Sequence, residues 1–452
     1  MKNTRKYNYP KSLSLLKFFW NAEAIRKNPI PFHRDFFNAY GDTFSVRLGR
    51  NKWLLLSRDK EVVEHILRKN HKNYYKSKIQ TDYLSKYLGH GLLTINGEYW
   101  LQQRRLIQPA FHKKKMEQLV DLMQHTIEEE LRELQNKKEK DLFPTMNHLA
   151  FKVVATSLFN VSASEETLLR LQKIIQEVQE FLVKEVRLPH KKWWFKLSGQ
   201  VRRHEKLSDE SRAILQQIIE ERKNSKEQHS DLLDMLLATR YEDTGEPMTN
   251  KQLVDEITIL FVAGHETTAN ALTFTTWLLA KNPKIQQKVF EETESVVSET
   301  HDAIEQIAKL TYTKAVIDES MRLYPPAWIT DRENLEDDTL AGYHIRADTL
   351  VGISFYELHR NPAYWERPSE FDPERFVGDH KKKTSGAYFP FGAGPRLCIG
   401  LGFAIYEMVL AVSYLVKNYH LTTSVDDIQL NPLITLKPVG AEVTFTKREG
   451  NP

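Results

Sequence analysis

The chain holds one cysteine, Cys398, in the segment Phe389-Pro-Phe-Gly-Ala-Gly-Pro-Arg-Leu-Cys-Ile-Gly400. Glycines at 392, 394 and 400 permit a tight loop that turns backbone N–H groups toward one sulfur, and a helix expected to start near Cys398 adds its positive end. Both effects favour thiolate over thiol. Phe391 can shield the sulfur, and Arg396 can reach a carboxylate on a bound group. The bland alternative is a small buried hydrophobe in a glycine-rich turn. A lone cysteine excludes an intramolecular disulfide and any zinc site that needs two thiolates, and it suits a reducing compartment.

A second group of residues able to do chemistry is Ala263-Gly264-His265-Glu266-Thr267-Thr268. An acid beside an alcohol can relay protons. By itself, Ala-Gly in a helix is more often a packing site, and Thr commonly returns its hydroxyl to a preceding carbonyl. Glu319 and Arg322 are three apart in a stretch that reads as helix from about 311 to 323, so they can pair. Trp100 and Arg104 are four apart in Gly97-Glu-Tyr-Trp-Leu-Gln-Gln-Arg-Arg105 and share a helix face, as an amphipathic helix with an aromatic anchor also would.

The cysteine segment resembles the heme-binding loop of the cytochrome P-450 family, with Phe391, Gly394, Arg396, Cys398 and Gly400 at its five defining positions. The resemblance spans roughly residues 40 to 445. It implies heme b with Cys398 as axial iron ligand, and a small-residue step at Ala263 and Gly264 that leaves room for dioxygen over the distal face. Thr267 would steady the oxygen and Glu266 would feed protons from solvent. Trp100, Arg104, Arg332 and Arg396 would bind the cofactor, with Phe391, Gly264 and Gly400 beside it. Arg332 reads almost as well as a surface arginine. In Phe371-Asp-Pro-Glu-Arg-Phe376, Arg375 would join Glu319 and Arg322 in a structural network. Leu92, Leu93, Ala263, Ala327, Trp328 and Ile329 would line an apolar substrate pocket. His265, His344 and His359 match contexts in which histidine is not a ligand, and none is assigned a catalytic role.

The implied activity is insertion of one oxygen atom from dioxygen into an apolar small molecule, by hydroxylation or epoxidation of a fatty acid or a terpenoid- or steroid-like compound. Thiolate donation favours O–O cleavage. Only about fifty residues follow the loop in this sequence, so electrons are expected from a separate ferredoxin or flavodoxin-type donor with its reductase. Lys113-Lys114-Lys115 and Lys381-Lys382-Lys383 are its candidate docking sites. A heme-thiolate peroxygenase or isomerase is the alternative enzyme, less suited to an acid–alcohol pair, and a heme sensor is the non-catalytic one. Arg50 is a weak candidate for meeting a substrate carboxylate.

The elements that must hold these residues follow from periodicity. Helical patterns dominate from about residue 97 to 323, with β-like runs near 43 to 57 and 327 to 355. The expected fold class is mostly α, the cytochrome P-450 fold, with a long central helix over the heme and a smaller β-rich region. That helix should begin at Thr249 or Asn250 and run to Lys281, where Asn282-Pro283 ends it after roughly 45 Å. The charge-rich Glu220 to Gln228 and turn-like Tyr241 to Pro247 read as connections within one domain spanning 1–452, with 1–40 as a lead-in.

The 64 basic and 60 acidic residues give a formal charge of +4 and no global nucleic-acid signature. Leu13 to Trp20 is too short to cross a bilayer and carries Lys17. It reads as a first helix packing on the body, with peripheral membrane contact as the alternative. A cytoplasmic monomer without a signal peptide or transmembrane anchor is expected.

Overall fold

In the computed structural model the long helix runs from Asn250 to Lys281, entered by a capping box in which the Thr249 hydroxyl accepts from the Gln252 backbone N–H and the Gln252 side chain accepts from the Thr249 backbone N–H. The structure describes residues 7–49, 52–134, 138–139, 141–159, 164–225, 229, 231–378 and 385–448. They fall into two compact units.

The larger unit comprises 78–317, 399–429 and 438–452. Its helices include α1 (Gly97–Ile107), α2 (Val120–Leu131), α3 (Phe143–Phe159), α4 (Glu165–Arg187), α5 (Lys192–Leu197), α6 (Gln200–Asn224) and α7 (Asn250–Lys281), then the first half of α8 (Thr311–Leu323), and finally α9 (Leu401–Asn418). The long helix α7 is the spine: α3, α6 and α9 all pack on it, and most of its residues are buried. Among the described residues α9 alone is long and apolar enough to cross a membrane, and more than half of it is buried as a core helix. The charge-rich stretch after Glu220 is not a connection at first, because good helix formers carry α6 on to Asn224. Residues 226–228 lie outside the described set.

The other unit comprises 1–77, 318–398 and 430–437. Its sheet holds β1 (Ser12–Leu13), β2 (Thr43–Arg47), β3 (Trp53–Ser57), β4 (Tyr74–Tyr75), β5 (Ile329–Asn334) and β6 (Leu350–Ser354), in the order β1-β2-β3-β6-β5-β4. β2 and β3 are antiparallel, β3 and β6 parallel, and β5 runs antiparallel to both β6 and β4. Leu13 belongs to β1 and is buried, and Phe18 packs partly on the same core, whereas Trp20 is 91% exposed. Of the described side chains of the helix Leu15–Trp20, Phe18 therefore packs on this unit and Trp20 does not.

Candidate functional site

The cysteine loop belongs to the sheet-bearing unit. Gly394 has φ +67°, and a Cβ there would run into the Leu67 carbonyl, so only glycine fits. Gly392 also takes a left-handed φ, +72°. Gly400 does not: its φ is −86°, so the backbone makes no demand for glycine there. The loop closes on itself where the Cys398 N–H donates to the Phe391 carbonyl at 3.0 Å, with Phe391 half-buried and Cys398 exposed. The following helix starts at Leu401, three residues later than its positive end was expected. His359, which the sequence left without a task, accepts the Phe389 N–H on Nε2 at 2.9 Å. Burial, reinforced by Arg322 and Arg360, pushes its imidazole down to about 3, so it stays a neutral acceptor at the head of the loop.

Two arginines meet at this loop, Arg332 buried and Arg396 half-buried. Arg332, on β5, donates to the Thr330 hydroxyl at 3.1 Å and the Asp331 carbonyl at 2.6 Å, while its Nε has no hydrogen-bond partner among the described residues. Arg396 donates to the Tyr74 carbonyl at 2.6 Å. Burial first, and then the field of Arg396, push the Arg332 guanidinium down to about 10; burial lowers Arg396 as well. Two partly desolvated cations acting on each other are a setting for an anionic group.

Glu319 and Arg322 are fully buried on α8 and form a two-pronged pair at 2.7 and 2.8 Å. Arg322 also donates to the carbonyls of His359, Pro368 and Glu370, and the Asp372 N–H donates to Glu319. Arg375 stands 3.4 Å from Glu319. The three residues expected to meet are thus together, with the backbone of 359–372 tied to them. Burial outweighs the arginines and raises the Glu319 carboxyl.

Ala327 and Ile329 remain accessible at the entry to β5. Trp328 is different. It is buried, donates to the Leu433 carbonyl at 3.1 Å and stacks on His33, so it belongs to the core rather than to a pocket wall. Trp328 precedes the strand, and its side chain is turned inward by the Leu433 and His33 contacts.

In the helical unit, α7 is buried along most of its length but leaves Leu260, Ala263, Gly264 and Thr267 accessible. Spacings of three, four and seven put them on one face, a stripe opened in the middle of a core helix. Thr267 donates its hydroxyl to the Ala263 carbonyl at 2.7 Å, which leaves its oxygen lone pairs able to accept. Glu266 is half-buried beside the stripe. His265 points the other way, buried and neutral, bonded to the Phe261 carbonyl. A Cβ on Gly264 would press on Val154 at 3.2 Å, so this glycine also lets α3 approach α7.

Trp100 is buried on α1, and Arg104, half-buried one turn on, reaches Gln108 at 3.3 Å. Leu92 and Leu93 are half-buried in the loop before α1, whose geometry depends on two acids the sequence reading passed over. Glu256 accepts the Leu92 N–H and Asp255 the His90 N–H, each at 3.0 Å. Burial opposes ionisation of Asp255, yet the His90 N–H, Arg212 and Lys251 together hold its carboxyl below the usual range. The available signal was a pair of consecutive acids inside an apolar helix, between Val254 and Ile257.

No cluster of three or more His, Cys, Asp or Glu able to hold a bare metal ion occurs among the described residues. Arg50 and Lys381-Lys382-Lys383 lie outside them.

The sequence model of the family described as cytochrome P-450 matches residues 10–445. The chain belongs to the cytochrome P-450 family. It is 31% identical over 399 residues to cyclooctat-9-en-7-ol 5-monooxygenase of Streptomyces melanosporofaciens, covering 88% of this chain and 86% of that one. Echinocystic acid 23-monooxygenase of Saponaria officinalis is 30% identical, over 95% of this chain and 88% of its own. The chloroplastic protein LUTEIN DEFICIENT 5 of Arabidopsis thaliana is 28% identical, over 95% and 76%.

A cytochrome P-450 binds heme b through a cysteine thiolate and is an oxidoreductase of the monooxygenase type. This chain's residues fit that cofactor. Its only cysteine is exposed on a closed glycine loop, and the buried Arg332 and half-buried Arg396 suit the two carboxylates that heme carries.

Proposed function

We propose that the protein oxygenates an apolar, terpenoid-class small molecule over heme b held by Cys398, using electrons from a separate ferredoxin- or flavodoxin-type protein. The observation that carries this reading is the accessible stripe Leu260, Ala263, Gly264 and Thr267 on an otherwise buried α7. A core helix exposes small and apolar side chains midway along its length only where it borders a cavity. Relatives named as monooxygenases of cyclooctat-9-en-7-ol and of echinocystic acid support the substrate class.

When bound, the heme supplies reductive activation of dioxygen, and the thiolate's electron donation favours O–O cleavage. The protein's part is to position and to supply protons. Cys398 would hold the heme iron through its thiolate, and the Phe391 carbonyl holds its backbone in place. Arg332 and Arg396, and on the resemblance Trp100 and Arg104 as well, would hold the propionates. Leu92, Leu93, Ala327, Ile329 and Ala263 present apolar surface to the substrate. Glu266 brings protons inward, and the Thr267 hydroxyl accepts a hydrogen bond from the water that would carry them. Lys113, Lys114 and Lys115 are exposed and suit an acidic donor protein, although Lys113 is shared with Glu117 at 3.6 Å. The two units are read together as one heme domain, since the family match runs through both.

Two measurements test this. Reduced protein under carbon monoxide should show the red-shifted band of thiolate ligation, and Cys398→Ser should lose it; a band kept in the mutant removes Cys398 as ligand. A panel of terpenoids, steroids and fatty acids titrated against the heme absorption should then single out terpenoids by displacement of the distal water.

A further inference from the structure

In the sheet-bearing unit, Asp338 opens a hairpin formed by Asp338–Leu340 and Tyr343–Ile345 and is half-buried there. Its Oδ2 accepts from the Tyr74 hydroxyl at 2.7 Å, from His65 Nε2 at 2.8 Å and from Asn70 Nδ2 at 3.0 Å, while Oδ1 accepts the Thr339 N–H at 2.8 Å. Burial opposes ionisation, yet the hydrogen bonds from His65 and Tyr74 hold the carboxyl below its usual range.

The three side-chain donors come from one short stretch of chain. His65–Lys69 is a single π-helical turn, closed where the Asn70 N–H donates to the His65 carbonyl at 2.7 Å, and Tyr74 begins β4 just beyond it. Turns of this kind are rare and are found frequently at functional sites. The cysteine loop rests on this one. Gly394 lies so close to the Leu67 carbonyl that no Cβ fits, Arg68 lies over the Phe389 ring at 5.7 Å, and the Tyr74 carbonyl accepts from Arg396 at 2.6 Å. Ile66 and Leu67 are buried, but burial is non-directional and does not decide where the Leu67 and Tyr74 carbonyls point. Hydrogen bonds to a fixed carboxylate do.

We infer that Asp338 is a positioning residue for heme ligation, which fixes the stretch 65–74 and through it the Cys398 loop and Arg396. The inference rests on Cys398 being the heme ligand. It is separate from the cluster of Glu319, Arg322 and Arg375, whose hold on the loop runs through His359 to the Phe389 N–H. Without the Asp338 carboxylate, three donors lose their common acceptor and the support under residues 389, 394 and 396 is no longer set in one place.

The test compares the heme-loaded full chain with Asp338→Ala, Asp338→Asn and Tyr74→Phe. One readout is the rate, in mild denaturant, at which the red-shifted band of the reduced carbon-monoxide complex gives way to the blue-shifted band of lost thiolate ligation. The other is amide hydrogen exchange followed peptide by peptide. Asp338→Ala should speed the loss of the band by about tenfold or more, the size of effect typical for groups that orient metal ligands. Exchange should rise in residues 65–74 and 389–398 and stay parental in α7. Asp338→Asn keeps an accepting oxygen and should remain within about threefold of the parent. Tyr74→Phe removes one donor but leaves the carbonyl for Arg396, so it should raise exchange in the same two segments by less; it reads the same contact if the alanine variant takes up no heme. Parental band loss and exchange in Asp338→Ala overturn the inference. So does a rise spread evenly over the chain, α7 included, which is loss of global stability rather than of position. An asparagine variant as impaired as the alanine one also overturns it, by assigning the effect to charge. A parent protein without the red-shifted band would instead fault Cys398 as ligand, and the exchange pattern would still decide the role of Asp338.

Discussion

The guanidinium of Arg332 is buried within the field of Arg396, and the two repel each other next to the loop that carries Cys398. An arginine pushed from 12.5 down to about 10 costs the fold about 3 kcal/mol at every pH below 10, where both its folded and unfolded forms are protonated. Binding of a group with two carboxylates turns that cost into binding energy. Arg332→Gln should therefore act with opposite signs on the two forms: the apoprotein unfolds at a higher temperature, while heme transfers to an acceptor protein at least about tenfold faster. Thermal unfolding of both forms, with heme-transfer kinetics, checks it. Equal shifts in apo and holo stability would show that no anion sits there.

The two carboxylates that begin the buried part of α7 make a second test. Glu256 holds the Leu92 N–H, and a Cβ on Gly91 would press against the Glu256 side chain, so loop and helix are fitted to each other. Glu256→Ala takes away the acceptor and should weaken binding of a phenylimidazole, titrated by heme absorption, by about tenfold. Glu256→Gln keeps an oxygen that can accept and should restore most of the affinity. Equal losses in both variants would mean that charge rather than loop position matters.

Much of this arrangement was legible in the sequence, where the physics is local. The capping Thr249, the terminating Asn282-Pro283, the glycine turn at 394 and the three-residue spacing of Glu319 and Arg322 each specify their own geometry. What escaped were contacts made across the chain. His359 bonding Phe389, Asp255 and Glu256 holding residues 90 and 92, and Trp328 turning onto His33 and Leu433 all join residues 30 or more positions apart. Side-chain type constrains such partners only weakly. Gly400 shows the reverse, a motif glycine whose backbone would suit any residue.

Glu407 lies on α9, fully buried, and neither carboxyl oxygen has a hydrogen-bond partner among the described residues. Burial alone raises its pKa well above 4.5, with no charged neighbour contributing. For an acid with a raised folded value, the folded state binds more protons than the unfolded one once pH exceeds 4.5. Its contribution is therefore most favourable below pH 4.5 and is lost as pH rises toward the folded pKa. Glu407→Gln, which cannot ionise, should stabilise the protein by on the order of 1–3 kcal/mol at pH 8 and have little effect near pH 4. Denaturant unfolding of both proteins at the two pH values decides; a variant less stable than the parent at pH 8 would reveal an ionised Glu407.

Thr267 offers the sharpest separation of a monooxygenase from a peroxygenase or isomerase, because every heme-thiolate protein needs its cysteine. Its hydroxyl proton is committed to the Ala263 carbonyl at 2.7 Å, so toward the open side of α7 it presents lone pairs and acts as an acceptor. An acceptor fixed there, with Glu266 next to it, orders the water that brings in protons. Thr267→Ala removes that acceptor and takes no hydrogen bond from the backbone that the helix itself does not already make. Folding, heme content and ligand affinity should stay close to the parent's. Donor oxidation should continue while product per electron falls about fivefold or more, the difference appearing as hydrogen peroxide, since loss of a positioned proton-transfer group costs one to several orders of magnitude in the step it serves. Product, donor consumption and peroxide are measured in the same reaction. Thr267→Ser should recover most of the coupling, because it returns the oxygen without the methyl group. Unchanged coupling in Thr267→Ala would mean that protons reach the reacting centre by another route, and would favour chemistry that starts from peroxide over chemistry that starts from dioxygen.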